Sequence, residues 1–276
     1  MGAKLVSAAL AWLVLAPLLV GAQPSTGTSP ARLVVTGSTT VYPLMQDIVQ
    51  RFERRNPGVS IDLRSGGSGK GIAELRSGVS DVAMLSRQLG AGERDLFAFP
   101  VCRDGAAIVV HRSNPLKGLT RRQLSELLTG DLTDWKQLGG RPGAIKLAWR
   151  TEGQAIPELI QEYLKLKPEQ IRSYTRIVEN ADAIGFAAHD RNAITLTALG
   201  TAERSVGSGA AIKLLAYEGT LASTRAVRDH TYLLSRPLAL VTRSTPTGLQ
   251  KQLIDYAASA AVTDLQEKHG FVPYQN

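Results

Sequence analysis

The sequence predicts an α/β fold of two lobes, with mostly parallel sheets flanked by helices. Three observations carry that expectation. Short runs rich in Val, Ile and Leu alternate with segments whose apolar residues recur at helical spacing, the pattern of strands joined by crossover helices. Several strand-like runs end in loops rich in Gly, Ser, Thr or Arg, and a helical pattern follows each loop. The chain has 276 residues, 43% hydrophobic and 20% charged, which suffices for two cores of ordinary domain size. This composition argues against disordered, collagen-like and disulfide-scaffold classes.

In residues 1–22, Lys4 precedes a nearly unbroken apolar run that closes on Val20-Gly21-Ala22. Charge, length and small terminal residues match a secretory signal peptide. A membrane anchor needs about 20 apolar residues; this run is shorter and contains Pro17. Export to the periplasm is expected, with residues 23–30 as a Ser/Thr/Pro/Gly-rich lead-in.

Leu33-Val34-Val35 predicts the first strand. Val41, Leu44, Met45, Ile48, Val49 and Phe52 predict a helix, with Pro43 in the first turn, where its missing N–H costs nothing. Asn56-Pro57-Gly58 ends it. Val59-Ser60-Ile61-Asp62-Leu63 alternates as a strand, and Ser68 opens a short helix closed by Gly78. Asp81-Val82-Ala83-Met84-Leu85 reads as a third strand and residues 106–111 as part of a fourth. The middle predicts helices over 119–128 and 156–166 and strands over 145–149 and 212–217. Ile177-Val178 and Ile184-Gly185-Phe186 also read as short strands. The end predicts a strand over 238–242 and helices over 247–261 and 263–269. Lobe boundaries are expected near Arg112 and Tyr217, so that residues 31–112 with 218–276 form one lobe and 113–217 the other.

Lys and Arg total 32 against 24 Asp and Glu, a formal charge of +8. The basic residues are dispersed with few aromatics between them, unlike a nucleic-acid stripe, and no nucleic-acid partner is expected. The single cysteine, Cys102, excludes an intramolecular disulfide and reads as a packing residue. His111, His189, His230 and His269 lie far apart, with no pair at ligand spacing, so no metal is expected. No nucleophile–base pair is visible at motif level, and neither an enzymatic activity nor a cofactor is expected. Trp135 and Trp149 read as core or loop anchors.

Four loops stand out: Thr36-Gly37-Ser38-Thr39-Thr40, Arg64-Ser65-Gly66-Gly67-Ser68-Gly69-Lys70, Ser86-Arg87 and Arg150-Thr151-Glu152-Gly153-Gln154. Ligands of open α/β sheets sit outside the carboxyl ends of strands, and free N–H groups at helix N-termini favour an anion. Glycines let backbone approach the ligand, hydroxyls donate to its oxygens, and Arg87 and Arg150 offer guanidinium forks. Each loop alone also reads as a plain helix cap; the four together point to an oxyanion. The glycine loop is not a P-loop, because Arg64 and Gly71 stand where Gly and Ser/Thr are required. It fits neither the dinucleotide fingerprint nor the nucleophile elbow.

Thr36-Gly37-Ser38-Thr39-Thr40-Val41-Tyr42-Pro43, Ser65-Gly66-Gly67-Ser68-Gly69-Lys70-Gly71-Ile72 and Asp81-Val82-Ala83-Met84-Leu85-Ser86-Arg87 resemble segments of the periplasmic phosphate-binding proteins of ABC phosphate transporters, the PstS-like solute-binding family. Asp104-Gly105-Ala106-Ala107-Ile108-Val109-Val110-His111, Leu128-Thr129-Gly130, Ala183-Ile184-Gly185-Phe186 and Ser235-Arg236-Pro237-Leu238 extend the likeness in order over nearly the whole chain after residue 30. The resemblance implies a two-lobed periplasmic-binding-protein fold of type II-like architecture, with two crossover segments and a ligand cleft between lobes. It implies binding of inorganic phosphate, or a related tetrahedral oxyanion, by Ser38, Thr39, Thr40, Ser68, Arg87 and Arg150, with Asp104 a further candidate. A carboxylate there accepts a proton from phosphate and repels fully deprotonated sulfate; Asp104-Gly105 also reads as a simple turn. The implied partner is an ABC permease, and the protein a monomer.

The chain departs from the family at one place. Where such proteins usually carry Arg, two variable residues and Gly-Ser-Gly-Thr, this chain has Arg150-Thr151-Glu152-Gly153-Gln154-Ala155-Ile156. Losing two charge-assisted hydroxyl bonds costs about 1.5–3 kcal/mol each, which predicts weakened affinity or a different oxyanion. The alternative expectation is a non-transport relative, such as a sensor, adhesin or assembly factor, with phosphate binding weakened or lost.

Overall fold

A computed structural model describes residues 1–2, 31–150 and 155–274. The expected signal peptide and lead-in, and residues 151–154 of the departing loop, lie outside the described residues. The strands are β1 (Ala31–Gly37), β2 (Val59–Ser65), β3 (Val82–Leu85), β4 (Phe97–His111), β5 (Gly118–Leu119), β6 (Lys146–Arg150), β7 (Thr175–Ile177), β8 (Ala193–Ala198), β9 (Ile212–Tyr217), β10 (Ser235–Thr242) and β11 (Val272–Pro273). The helices are α1 (Tyr42–Arg55), α2 (Ser68–Ser77), α3 (Arg121–Thr129), α4 (Ala155–Leu164), α5 (Asn180–His189), α6 (Leu199–Gly207), α7 (Thr224–Arg228), α8 (Gly248–Ala258) and α9 (Thr263–Lys268).

The strands join in one curled sheet with the path β2-β1-β3-β10-β4-β8-β6-β7. Its two ends are parallel: β1 pairs in parallel with β2 and β3 at one end, and β6 with β7 and β8 at the other. Between them, β10 runs antiparallel to both β3 and β4, and β4 antiparallel to β8. The long strands β4 and β10 thus tie the two parallel units together.

Helix α1 forms as its periodicity predicts. Leu44, Met45, Ile48, Val49 and Phe52 are buried, Pro43 occupies the first turn, and Asn56 caps the end. Burying such a side chain contributes about 1.5–3 kcal/mol. These residues pack on Leu33, Val35, Val82, Val101, Cys102, Leu238 and Leu240, the core of the first lobe. The second core gathers Val109, Leu124, Leu127, Trp149, Ile160, Leu196, Leu215 and Tyr217. Cys102, Trp135 and Trp149 are all buried, as packing residues should be.

One sequence reading changes. Ile184-Gly185-Phe186 lies inside helix α5 rather than in a strand. Ala183 and Ala187 face inward one helical turn apart, a small-residue stripe that apolar-run reading mistakes for β structure. The two hydrophobic cores meet within β4 and at the start of β10. Val101 and Cys102 belong to the first core, whereas Ala106, Ile108 and Leu234 belong to the second. One strand serves both lobes, with Arg103 and Asp104 between its two apolar runs.

Candidate functional site

The carboxyl ends of β1, β2 and β3 meet at Gly37. A Cβ on Gly37 would lie 2.3 Å from the Met84 carbonyl oxygen, and one on Gly71 would lie 2.7 Å from Gly37 Cα. Both glycines permit approaches that a side chain forbids. The N–H groups of Gly66 and Gly67 donate to Gly37 O at 2.9 and 2.8 Å, and Ser38 N donates to Met84 O at 2.9 Å. The first three predicted loops are thereby drawn to one end of the sheet.

Within this cluster, Ser38 is buried and its Oγ accepts from the N–H groups of Thr40 (3.2 Å) and Val41 (3.3 Å). It acts as a cap before α1, with its own proton left to donate. Ser68 Oγ accepts from Ser86 N at 3.2 Å and lies 3.4 Å from Ser86 Oγ, which locks the second loop to the third. The hydroxyls of Thr39 and the buried Thr40 donate to the two carboxylate oxygens of Glu158 at 3.4 and 2.8 Å.

Arg87 is engaged elsewhere. Its guanidinium clasps Glu93 in two bonds of 2.7 and 2.8 Å and donates to Gln88 O. That clasp holds the Glu93 carboxyl down at about 2. Arg87 lines a groove of about 770 Å³ together with Arg76, Glu162 and Arg236.

A second cavity, of about 370 Å³, is lined by Thr39, Thr40, Asp104, Arg150, Ile156 and Asn180. Four of the sequence-predicted residues therefore share one space. Arg150 ends β6, is buried, and donates to Asn180 Oδ1. Burial lowers its pKa, opposed by the negative charges of Glu179, Asp104 and Asp182. Asp104 is completely buried, and its Oδ1 has no hydrogen-bond partner among the described residues. Burial raises its pKa, and Arg236 pulls it back.

Arg236 is the residue that sequence reading did not single out. It is buried, and its Nη2 donates to Ala155 O (2.9 Å) while standing 3.4 Å from both Thr40 Oγ1 and Asp104 Oδ2. Glu158 and Glu162 lie 3.6 and 3.7 Å from its guanidinium. Its signal was present in Ser235-Arg236-Pro237, a segment that carried the family resemblance without revealing what the arginine faces. Glu158 carried no signal beyond its place in a helix.

Residues 24–261 match the family described as the PBP superfamily domain. Among curated relatives, the phosphate-binding protein PstS of Borreliella burgdorferi is 25% identical over 86% of this chain and 88% of its own length. PstS of Bacillus subtilis is 24% identical, over 87% and 80%. PstS 2 of Streptococcus pneumoniae is 33% identical, but the match spans only 37% of its length and 39% of this chain. A crystal structure described as an ABC-type phosphate transport receptor from Vibrio cholerae superposes with a TM-score of 0.76 at 26% identity, covering 88% of this chain and 99% of that one. With the superfamily domain spanning most of its length, the chain belongs to the PBP superfamily, and within it is similar to the PstS proteins.

Proposed function

We propose that this protein is an exported binding protein that takes up inorganic phosphate, or a closely related tetrahedral oxyanion, between its lobes and hands it to an ABC permease. The observation that carries the reading is the buried Asp104, whose unpartnered Oδ1 shares a cavity with Arg150 and the Thr39 and Thr40 hydroxyls. A protonated oxyanion suits that set: it donates its proton to Asp104 and accepts from the hydroxyls and guanidinium groups. A fully deprotonated anion leaves Asp104 opposed to a second negative charge.

In this reading Thr39, Thr40, Arg150 and Asp104 touch the ligand. Arg236 stands behind Thr40 and Asp104, while Ser38 and Ser68 shape the loops. Arg87 holds Glu93 at the rim and reaches the ligand only by leaving that partner. Lobe closure about β4 and β10 seals the anion from water. Binding requires no bond to be made or broken, so the protein acts without turnover, as a monomer.

Equilibrium dialysis with labelled phosphate tests the reading. Saturable binding that weakens in Thr40→Val and Arg150→Met supports it. No saturable binding by the parent rejects it.

A further inference from the structure

We propose that Glu158 is a tethered competitor for the oxyanion position, and so decides which anions the site admits. This inference rests on the phosphate-binding reading above. The two carboxylate oxygens of Glu158 accept from the Thr39 and Thr40 hydroxyls at 3.4 and 2.8 Å, and one lies 3.6 Å from Arg236. A bound oxyanion would call on the same two hydroxyls. The protein's own side chain thus holds two of the donors that the ligand needs.

Charge makes the occupancy exclusive. Arg236 already faces Asp104, Glu158 and Glu162 at 3.4, 3.6 and 3.7 Å. Adding an anion while Glu158 stays would place like charges side by side around one guanidinium. Entry is therefore an exchange: the carboxylate leaves as the ligand arrives. Glu158 lies in the first turn of α4 with its side chain 34% exposed, so it can swing to solvent without unfolding the helix.

The exchange favours one class of ligand. A carboxylate bears two acceptors and no proton, so it meets the threonines while leaving Asp104 Oδ1 unpartnered. A protonated tetrahedral oxyanion reaches the hydroxyls, Arg150 and Asp104 together, and can displace the tethered group. A small monovalent carboxylate offers nothing that Glu158 does not already supply at the high effective concentration of a tethered group. Apparent affinity is reduced by the fraction of molecules whose donors are free.

Calorimetric titration with inorganic phosphate, on the parent, Glu158→Gln and Glu158→Ala, tests this, with thermal melting as the check on folding. Both variants should bind phosphate about tenfold more tightly or better. Formate should compete with phosphate in Glu158→Ala and not in the parent. Equal or weaker phosphate binding in both variants, with the parent binding, overturns the role of Glu158 and leaves the phosphate reading intact. Absence of saturable binding in all three proteins rejects both.

Discussion

Arg236 and Asp104 are directly opposed residues of the antiparallel strands β10 and β4, and Arg236 Nη2 stands 3.4 Å from Asp104 Oδ2. The pair sits where β4 passes from the core of one lobe to that of the other, and both members are buried. A buried pair of this kind adds little to stability over an apolar substitute, but breaking it by removing one partner is costly. Arg236→Met should therefore destabilise the fold by about 3–5 kcal/mol. Arg236→Met combined with Asp104→Asn should recover much of that loss. Urea unfolding of the two variants beside the parent measures both values.

In the proposed binding mode Asp104 also selects the ligand. Asp104→Asn keeps the shape of the site but replaces a pure acceptor with an amide that also donates. Phosphate affinity should fall by tenfold or more, and sulfate should gain affinity relative to the parent. Competition of the two anions in dialysis reads the exchange. An unchanged preference removes Asp104 from the ligand's surroundings.

Asp104 and Glu93 pull the pH profile of stability in opposite directions. Burial raises the Asp104 pKa above 3.8, so its contribution is fully present below that value and is lost as pH rises through the raised native pKa. Glu93, held at about 2 against an ordinary 4.5, contributes above 4.5 and loses that contribution as pH falls toward 2. Asp104→Asn should abolish the decline on the upper side. Glu93→Gln should flatten the acid limb between 4.5 and 2. Denaturant midpoints measured across pH separate the two.

Gly37 has φ of 137°, and the Met84 carbonyl occupies the space that a Cβ would take. Gly37→Ala should cost about 2 kcal/mol or more and weaken phosphate binding, because it parts the loops after β1 and β3. A full-stability Gly37→Ala variant would mean that those loops are not held together through this contact.

Much of this architecture was written in local pattern. The apolar spacing of α1, the alternation in β2 and the glycine and hydroxyl loops at strand ends reflect interactions within a few residues, and the folded chain matches them. Thr39, Thr40, Asp104 and Arg150 were named from sequence and share one cavity. What escaped depends on long-range pairing. The register that sets Arg236 against Asp104 joins positions 132 apart, and the contact of Glu158 with Thr40 joins positions 118 apart. The clasp of Arg87 by Glu93 escaped for a different reason. The turn at residues 91–93 lets the Glu93 carboxylate accept from both Gly90 N and Arg87, and loop composition alone does not show that return.

Calorimetric titration of the full chain with inorganic phosphate, alongside Arg150→Met, is the most direct trial of the proposed binding. One phosphate per chain, saturable, with affinity lost when Arg150 goes, is the predicted outcome. A featureless titration of the parent, or one that Arg150→Met leaves unaltered, would contradict it.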